Sequence, residues 1–164
     1  MKRIAKFENV SRSRFETDFV DCFGDVTVPA LPALPHRATA GSAGYDFYMP
    51  CDLTLAPGEC AKIPTGIRAR IDEGWVLKIY PRSGLGFKFR LQLNNTVGII
   101  DSDYYGADNE GHILIKVTND SREGKTVELK AGSAFAQGVF VEFGITEDDD
   151  ADAHRSGGFG STST

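Results

Sequence analysis

Apolar and polar residues alternate roughly over short runs along much of this chain. β-forming runs fall at 59–71 (ECAKIPTGIRARI), 74–83 (GWVLKIYPRS), 91–101 (LQLNNTVGIID), 112–120 (HILIKVTND), 126–132 (TVELKAG) and 134–146 (AFAQGVFVEFGIT). Turn-forming residues separate them: Pro57-Gly58, Asp72-Glu73-Gly74, Asn119-Asp120 and Ala131-Gly132. Many short strands at this spacing predict an all-β sandwich or barrel. Helical periodicity is scarce. Prolines at 29, 32 and 35 make 28–38 an extended connection. Residues 10–27 carry the least readable pattern and admit a short helix. Beyond Thr146 the run EDDDADAHRS is acidic and nearly free of large apolar groups, so burial cannot order it. We therefore expect one domain over 1–146, then an acidic linker and a glycine-rich, flexible C-terminal arm over 147–164.

Composition narrows the function more than the fold. With 164 residues, 41% hydrophobic and 25% charged, the chain has the size and balance of one soluble domain. No apolar run approaches the ~20 residues of a membrane span, and MKRIAKFENV has no apolar signal-peptide core. Cys22, Cys51 and Cys60 are odd in number and show no CxxC spacing, which fits a reducing cytoplasm rather than a disulfide framework or zinc site. A net charge of −5 argues against a nucleic-acid polymer as the main partner. It leaves room for a small anion held by a few local cations or a metal.

Four stretches carry candidate chemistry. AGYDF (43–47) presents Asp46, PRSGLGFKF (81–89) presents Arg82, Ser83 and Gly84, NTVGIIDSDYYG (95–106) delivers Asp101, Asp103 and Tyr104, and AFAQGVF (134–140) sets Gln137 among apolar residues. Each has a plain structural reading. Asp46 could cap a turn, PRSG could be a hairpin turn, Asp101 and Asp103 could end a solvated strand, and Gln137 could bond a neighbouring strand. Together they suit a nucleotide phosphate: a guanidinium and a hydroxyl for its oxygens, glycines for close backbone approach, carboxylates for a hard cation or an activated water. No G-x-x-x-x-G-K-[ST] loop is present.

With RSGGFGST (155–162), these stretches resemble the five motifs of the trimeric deoxyuridine triphosphatase (dUTPase) family, in order and at similar spacing. RATAGSAGYD and ADNEGHILIKVTND look most like the proteins of Gram-positive bacteria and their phages. The resemblance implies a jelly-roll-like β-barrel assembled as a homotrimer, with active sites at subunit boundaries. It implies hydrolysis of dUTP to dUMP and pyrophosphate with Mg²⁺ on the triphosphate. Asp46 would support a metal-bound water, and Arg82, Ser83, Gly84 and Gln137 would hold phosphates. Asn95 and the backbone around Gly98 would read uracil in a β-hairpin pocket. Asp101 would hold the 3′-hydroxyl and act as general base, and Tyr104 would stack on the deoxyribose. Arg155 and Phe159 would close the arm over the γ-phosphate and base.

Three features depart from the family pattern. Ala134 stands where many relatives have arginine, which removes a supporting ion pair or hydrogen bond. The fifth motif is one residue shorter between Arg155 and Phe159, and Ser163 replaces its closing glycine. Residues 10–27 exceed the common length and have no assigned role. His36, His112 and His154 show no pairing pattern, and Trp75 reads as a packing residue at a strand start. Two other functions stay open: a dCTP deaminase, which shares the fold but lacks the DSDYYG tyrosine arrangement, and a nucleotide-gated regulatory binding protein.

Overall fold

The structure is a computed structural model describing residues 1–152. Eleven strands, two α-helices and a 3₁₀ turn run in the order β1 (Ala5–Asn9), α1 (Arg12–Phe23), β2 (Tyr45–Tyr48), β3 (Leu53–Leu55), β4 (Cys60–Pro64), β5 (Ile67–Ile71), β6 (Trp75–Pro81), α2 (Ser83–Phe89), β7 (Leu91–Leu93), β8 (Gly98–Ile100), the 3₁₀ turn Ser102–Gly106, β9 (Leu114–Asn119), β10 (Val127–Leu129) and β11 (Ala134–Glu142). The alternating runs become β4 to β11. The chain is mostly β, as expected.

Among the described residues the strands form four antiparallel sheets rather than one closed barrel. The largest has the order β2-β11-β6-β8; β4-β9-β7, β1-β5 and β3-β10 complete the set. Their inner faces share one core, in which Phe47, Ile63, Leu77, Val117, Val127 and Phe135 are wholly buried. Phe7 of β1 packs against Tyr45, Phe47 and Phe140, tying the N-terminal strand to the largest sheet.

The unreadable 10–27 stretch contains α1. Ser11 caps it, its hydroxyl accepting from the Arg14 amide at 3.1 Å. Phe15 and Phe19 face inward and form a second small core with Val10. Residues 28–37 carry no helix or strand, only a single bridge at His36, in keeping with a connection. The PRSG segment does not make a hairpin turn: it opens α2. No described helix is long and apolar enough to cross a membrane.

Candidate active site

Strand register gathers three of the expected residues. Gln137 on β11 sits opposite Asp46 on β2 and Tyr80 on β6. One residue beyond β6, the Arg82 amide bonds the Phe135 carbonyl at 3.1 Å, and its Nη1 donates to Asp46 Oδ2. Asp46 is therefore no turn cap. Its side chain is 15% exposed and Arg82's is 39%, so the pair lies at the edge of solvent. Gln137 is half-buried and donates Nε2 to the Pro81 carbonyl at 3.3 Å, a neighbouring-strand bond that leaves its oxygen for another partner. Gly44 makes this arrangement possible, since a Cβ there would lie 2.6 Å from Gln137 Oε1.

Ser83 and Gly84 open α2 and are exposed, and the space beside Gly84 is open. Amides in the first turn of a helix lack intrahelical acceptors, so both present N–H groups beside Arg82. Ala134 starts β11 opposite Tyr48, next to an irregularity in the register.

A second group forms a pocket of about 630 Å³. Its lining includes Asn95, Val97 and Gly98, the run Ile113–Lys116, and Lys62, Ile79 and Tyr104. Gly98 is required by close packing, because a Cβ would approach Ile79 Cβ to 3.0 Å. The chain reverses across 94–97 with Thr96 at φ 67°, but the flanking strands do not form the expected hairpin ladder. β7 pairs with β9, and β8 pairs with β6. The pocket thus opens between two sheets, because each short strand finds a longer partner than the other.

Asp101 directly follows β8 and precedes the 3₁₀ turn; it is half-buried and, unlike Ile100 before it and Tyr104 after it, does not line the pocket. Tyr104 is 5% exposed; its hydroxyl donates to the His112 carbonyl at 2.8 Å and accepts from Asn109 Nδ2 at 2.8 Å. Its ring is thereby a fixed wall. None of Asp46, Arg82, Ser83 or Gln137 lines this pocket. Arg155 and Phe159 lie outside the described residues, as does His154.

A family model described as dUTPase matches residues 32–163. The chain belongs to the dUTPase family. The deoxyuridine 5'-triphosphate nucleotidohydrolase of Lactococcus lactis is 42% identical over 132 residues, covering 79% of this chain and 87% of that protein. Its counterpart in Escherichia coli O9:H4 is 41% identical over 135 residues, covering 77% and 85%. The crystal structure of the Streptococcus mutans dUTPase superposes with a TM-score of 0.65 at 36% identity, over 86% of this chain and 98% of that one. A mutant dUTPase of Staphylococcus aureus phage phi11, described with a structural Mg(II) ion, shares the fold at a TM-score of 0.66 and 21% identity, over 92% and 98%. α1 lies outside the stretch matched to the dUTPase family.

Sequence reasoning missed two histidine contacts. His112 pairs with Asp18, and His36 with the Tyr48 hydroxyl. Ninety-four residues separate Asp18 from His112, so no local pattern could reveal that pair. Burial and the nearby aspartate push the Tyr48 phenol up.

Proposed function

We propose that this chain, as a dUTP diphosphatase, hydrolyses dUTP to dUMP and pyrophosphate by directed water attack. Asp101 holds the 3′-hydroxyl and accepts the proton of the attacking water. The new bond forms between that oxygen and the α-phosphorus. The bond from this phosphorus to the bridging oxygen breaks, and pyrophosphate leaves with the electron pair. Arg82, the Ser83 hydroxyl, the amides at Ser83 and Gly84, and the Gln137 amide hold phosphate oxygens. Arg155 and Phe159 contact the terminal phosphate and base.

Asp46 orients Arg82 and, as a carboxylate at the edge of solvent, would support a water on a cation bound there. A partly exposed carboxylate at Asp46 beside the Arg82 guanidinium suits a cation that the triphosphate itself would carry in. Mg²⁺ supplies neutralisation of phosphate charge there.

Asn95 and the Gly98 backbone read the uracil edge. A base seated against Gly98 leaves no room for the thymine methyl, and the Tyr104 ring packed at C2′ leaves none for a ribose hydroxyl. The Arg82 group and the pocket have separate linings, which supports a site completed between copies in a homotrimer. Exposed Phe87 at 93%, Ile99 at 53% and Ile145 at 74% give apolar faces for that association. The body over 1–146 carries both groups, and the acidic 147–154 run links it to the arm. The three free thiols fit a cytoplasmic setting.

One observation carries this reading: Asp101 and Tyr104 follow within four residues of the Gly98–Ile100 wall, so base pocket, sugar face and carboxylate come from one turn. Pyrophosphate release with dUTP, dTTP, UTP and dCTP side by side tests it. Release from dUTP alone is the expected result. Ammonia from dCTP without pyrophosphate from dUTP would replace it with deamination.

A further inference from the structure

The N-terminal segment outside the family match grips residues 105–112, the stretch that follows Tyr104. Three contacts connect the two. The Tyr105 hydroxyl donates to Glu8 Oε2 on β1 at 2.5 Å and accepts from Arg68, whose guanidinium lies 3.9 Å over the Tyr105 ring. Glu110, at φ 61°, takes both the amide and the hydroxyl of Ser11, at 2.8 and 2.6 Å. Those two bonds hold the Glu110 carboxyl below its usual range. Asp18 of α1 meets the wholly buried His112, with Oδ2 at 2.5 Å from Nδ1.

The His112 contact is the one that reaches the pocket. Gly66 donates its amide to His112 Nε2 at 2.8 Å, so the ring proton sits on Nδ1 and points at Asp18. Both ring nitrogens are thus fixed, one by β5's approach and one by α1. Arg14 fixes Asp18 in turn, through Nε at 3.1 Å and Nη2 at 2.7 Å. The His112 backbone carbonyl then receives the Tyr104 hydroxyl, and Ile113, the next residue, lines the pocket.

We infer that Asp18 is a positioning residue for dUTP binding, acting through His112 to hold Tyr104 at the nucleotide pocket. This rests on the reading of Tyr104 as the sugar-facing wall. The chemistry at phosphorus lies elsewhere, so the contribution falls on binding and sugar discrimination rather than turnover. An exposed clamp would be worth little. This one is buried, charge-assisted and doubly bonded, and such a bond holds geometry to a fraction of an ångström.

The experiment is steady-state pyrophosphate release by the full chain, with dUTP and UTP, well below the Tm. Asp18→Ala should raise KM for dUTP about fivefold with kcat within about twofold, and lower dUTP-over-UTP selectivity by a similar factor. Asp18→Asn keeps an oxygen for Nδ1–H and should restore KM to within about twofold of the parent. Phe19→Ala, which loosens α1 without touching His112, should lower Tm and leave KM alone. Should Asp18→Ala fail to fold, Arg14→Ala reads the same contact one bond back by freeing the Asp18 carboxylate, with KM up about threefold. Parental KM and selectivity in the folded Asp18→Ala protein, or in Arg14→Ala where that serves instead, overturns the inference. An equal KM rise in Phe19→Ala does the same. Tyr104→Ala separates the two layers: a large KM rise there with none in the clamp variants sinks the clamp alone, whereas no rise in Tyr104→Ala sinks the reading of Tyr104 along with it.

Discussion

Arg82 and Asp46 bond one another directly, a guanidinium N–H to a carboxylate oxygen, although 36 residues separate them. Register makes the meeting possible: β2 and β6 flank β11, and Gln137 lies between them. Before a nucleotide binds, the carboxylate holds the guanidinium in place and offsets its charge. On the proposed reading, a triphosphate arriving with its cation would give each partner a new counter-ion.

Asp46→Asn tests this exchange. The amide still bonds Arg82, so the fold and phosphate binding persist, whereas the negative charge that supports a metal-bound water is gone. Turnover should fall at least ~10-fold, with affinity for a non-hydrolysable dUTP analogue within about threefold by calorimetry. Unchanged turnover would remove Asp46 from the chemistry.

Asp101→Asn addresses the water itself. An amide of the same shape cannot accept the proton but can still hold the 3′-hydroxyl. Pyrophosphate release should drop by at least ~10², with KM close to the parent. A modest drop would assign the base elsewhere.

The strands of the middle and C-terminal chain were legible because alternation at period two matches one buried and one exposed face. β1, β2 and β3 were not. AKFEN has a single large apolar residue, and LTL is only three residues long, so neither offers enough alternation to count. α1 hid for a related reason. Its packing rests on Phe15 and Phe19, with Asp18 buried on the same inward side where a polar pattern predicts solvent. The site residues Asp46, Arg82 and Gln137 were legible as motifs, and register shows why they belong together. Their partners were not, because contacts such as Asp18 with His112 are made by the tertiary fold.

Gly111 is a sharper test of the turn than any of its polar residues. It sits at φ 69°, and a Cβ there would lie 2.7 Å from the Tyr104 carbonyl oxygen and 2.8 Å from Tyr105 Cα. Those are backbone atoms of the turn itself and cannot swing aside. Gly111→Ala should therefore cost about 2–4 kcal/mol from strain and overlap together, a Tm lower by roughly 4–16 °C. Gly41→Ala is the control: its Cβ meets nothing within 4 Å, and its Tm should stay within about 2 °C. Calorimetric scans of the two variants separate them. Equal Tm values would mean the turn relaxes freely.

His112 gives the fold a pH dependence of definite sign. Burial is the largest influence and pushes its pKa below the ordinary imidazole value, while the Asp18 carboxylate pulls the other way. The Gly66 amide adds to the burial effect: protonating Nε2 would set two donors against each other. The folded chain therefore keeps the ring neutral, and the unfolded chain binds the proton more readily. A group of this kind contributes stability that is fully present above its unfolded pKa of about 6.5 and is lost as pH falls toward the lower folded value. Carboxylates held low, such as Glu8 at about 2, lose their contribution only in more acid solution. Tm measured between pH 7.5 and 5.5 should fall, and His112→Gln should flatten the slope over that interval while lowering Tm throughout. A parent slope unchanged by His112→Gln would show that another group titrates there.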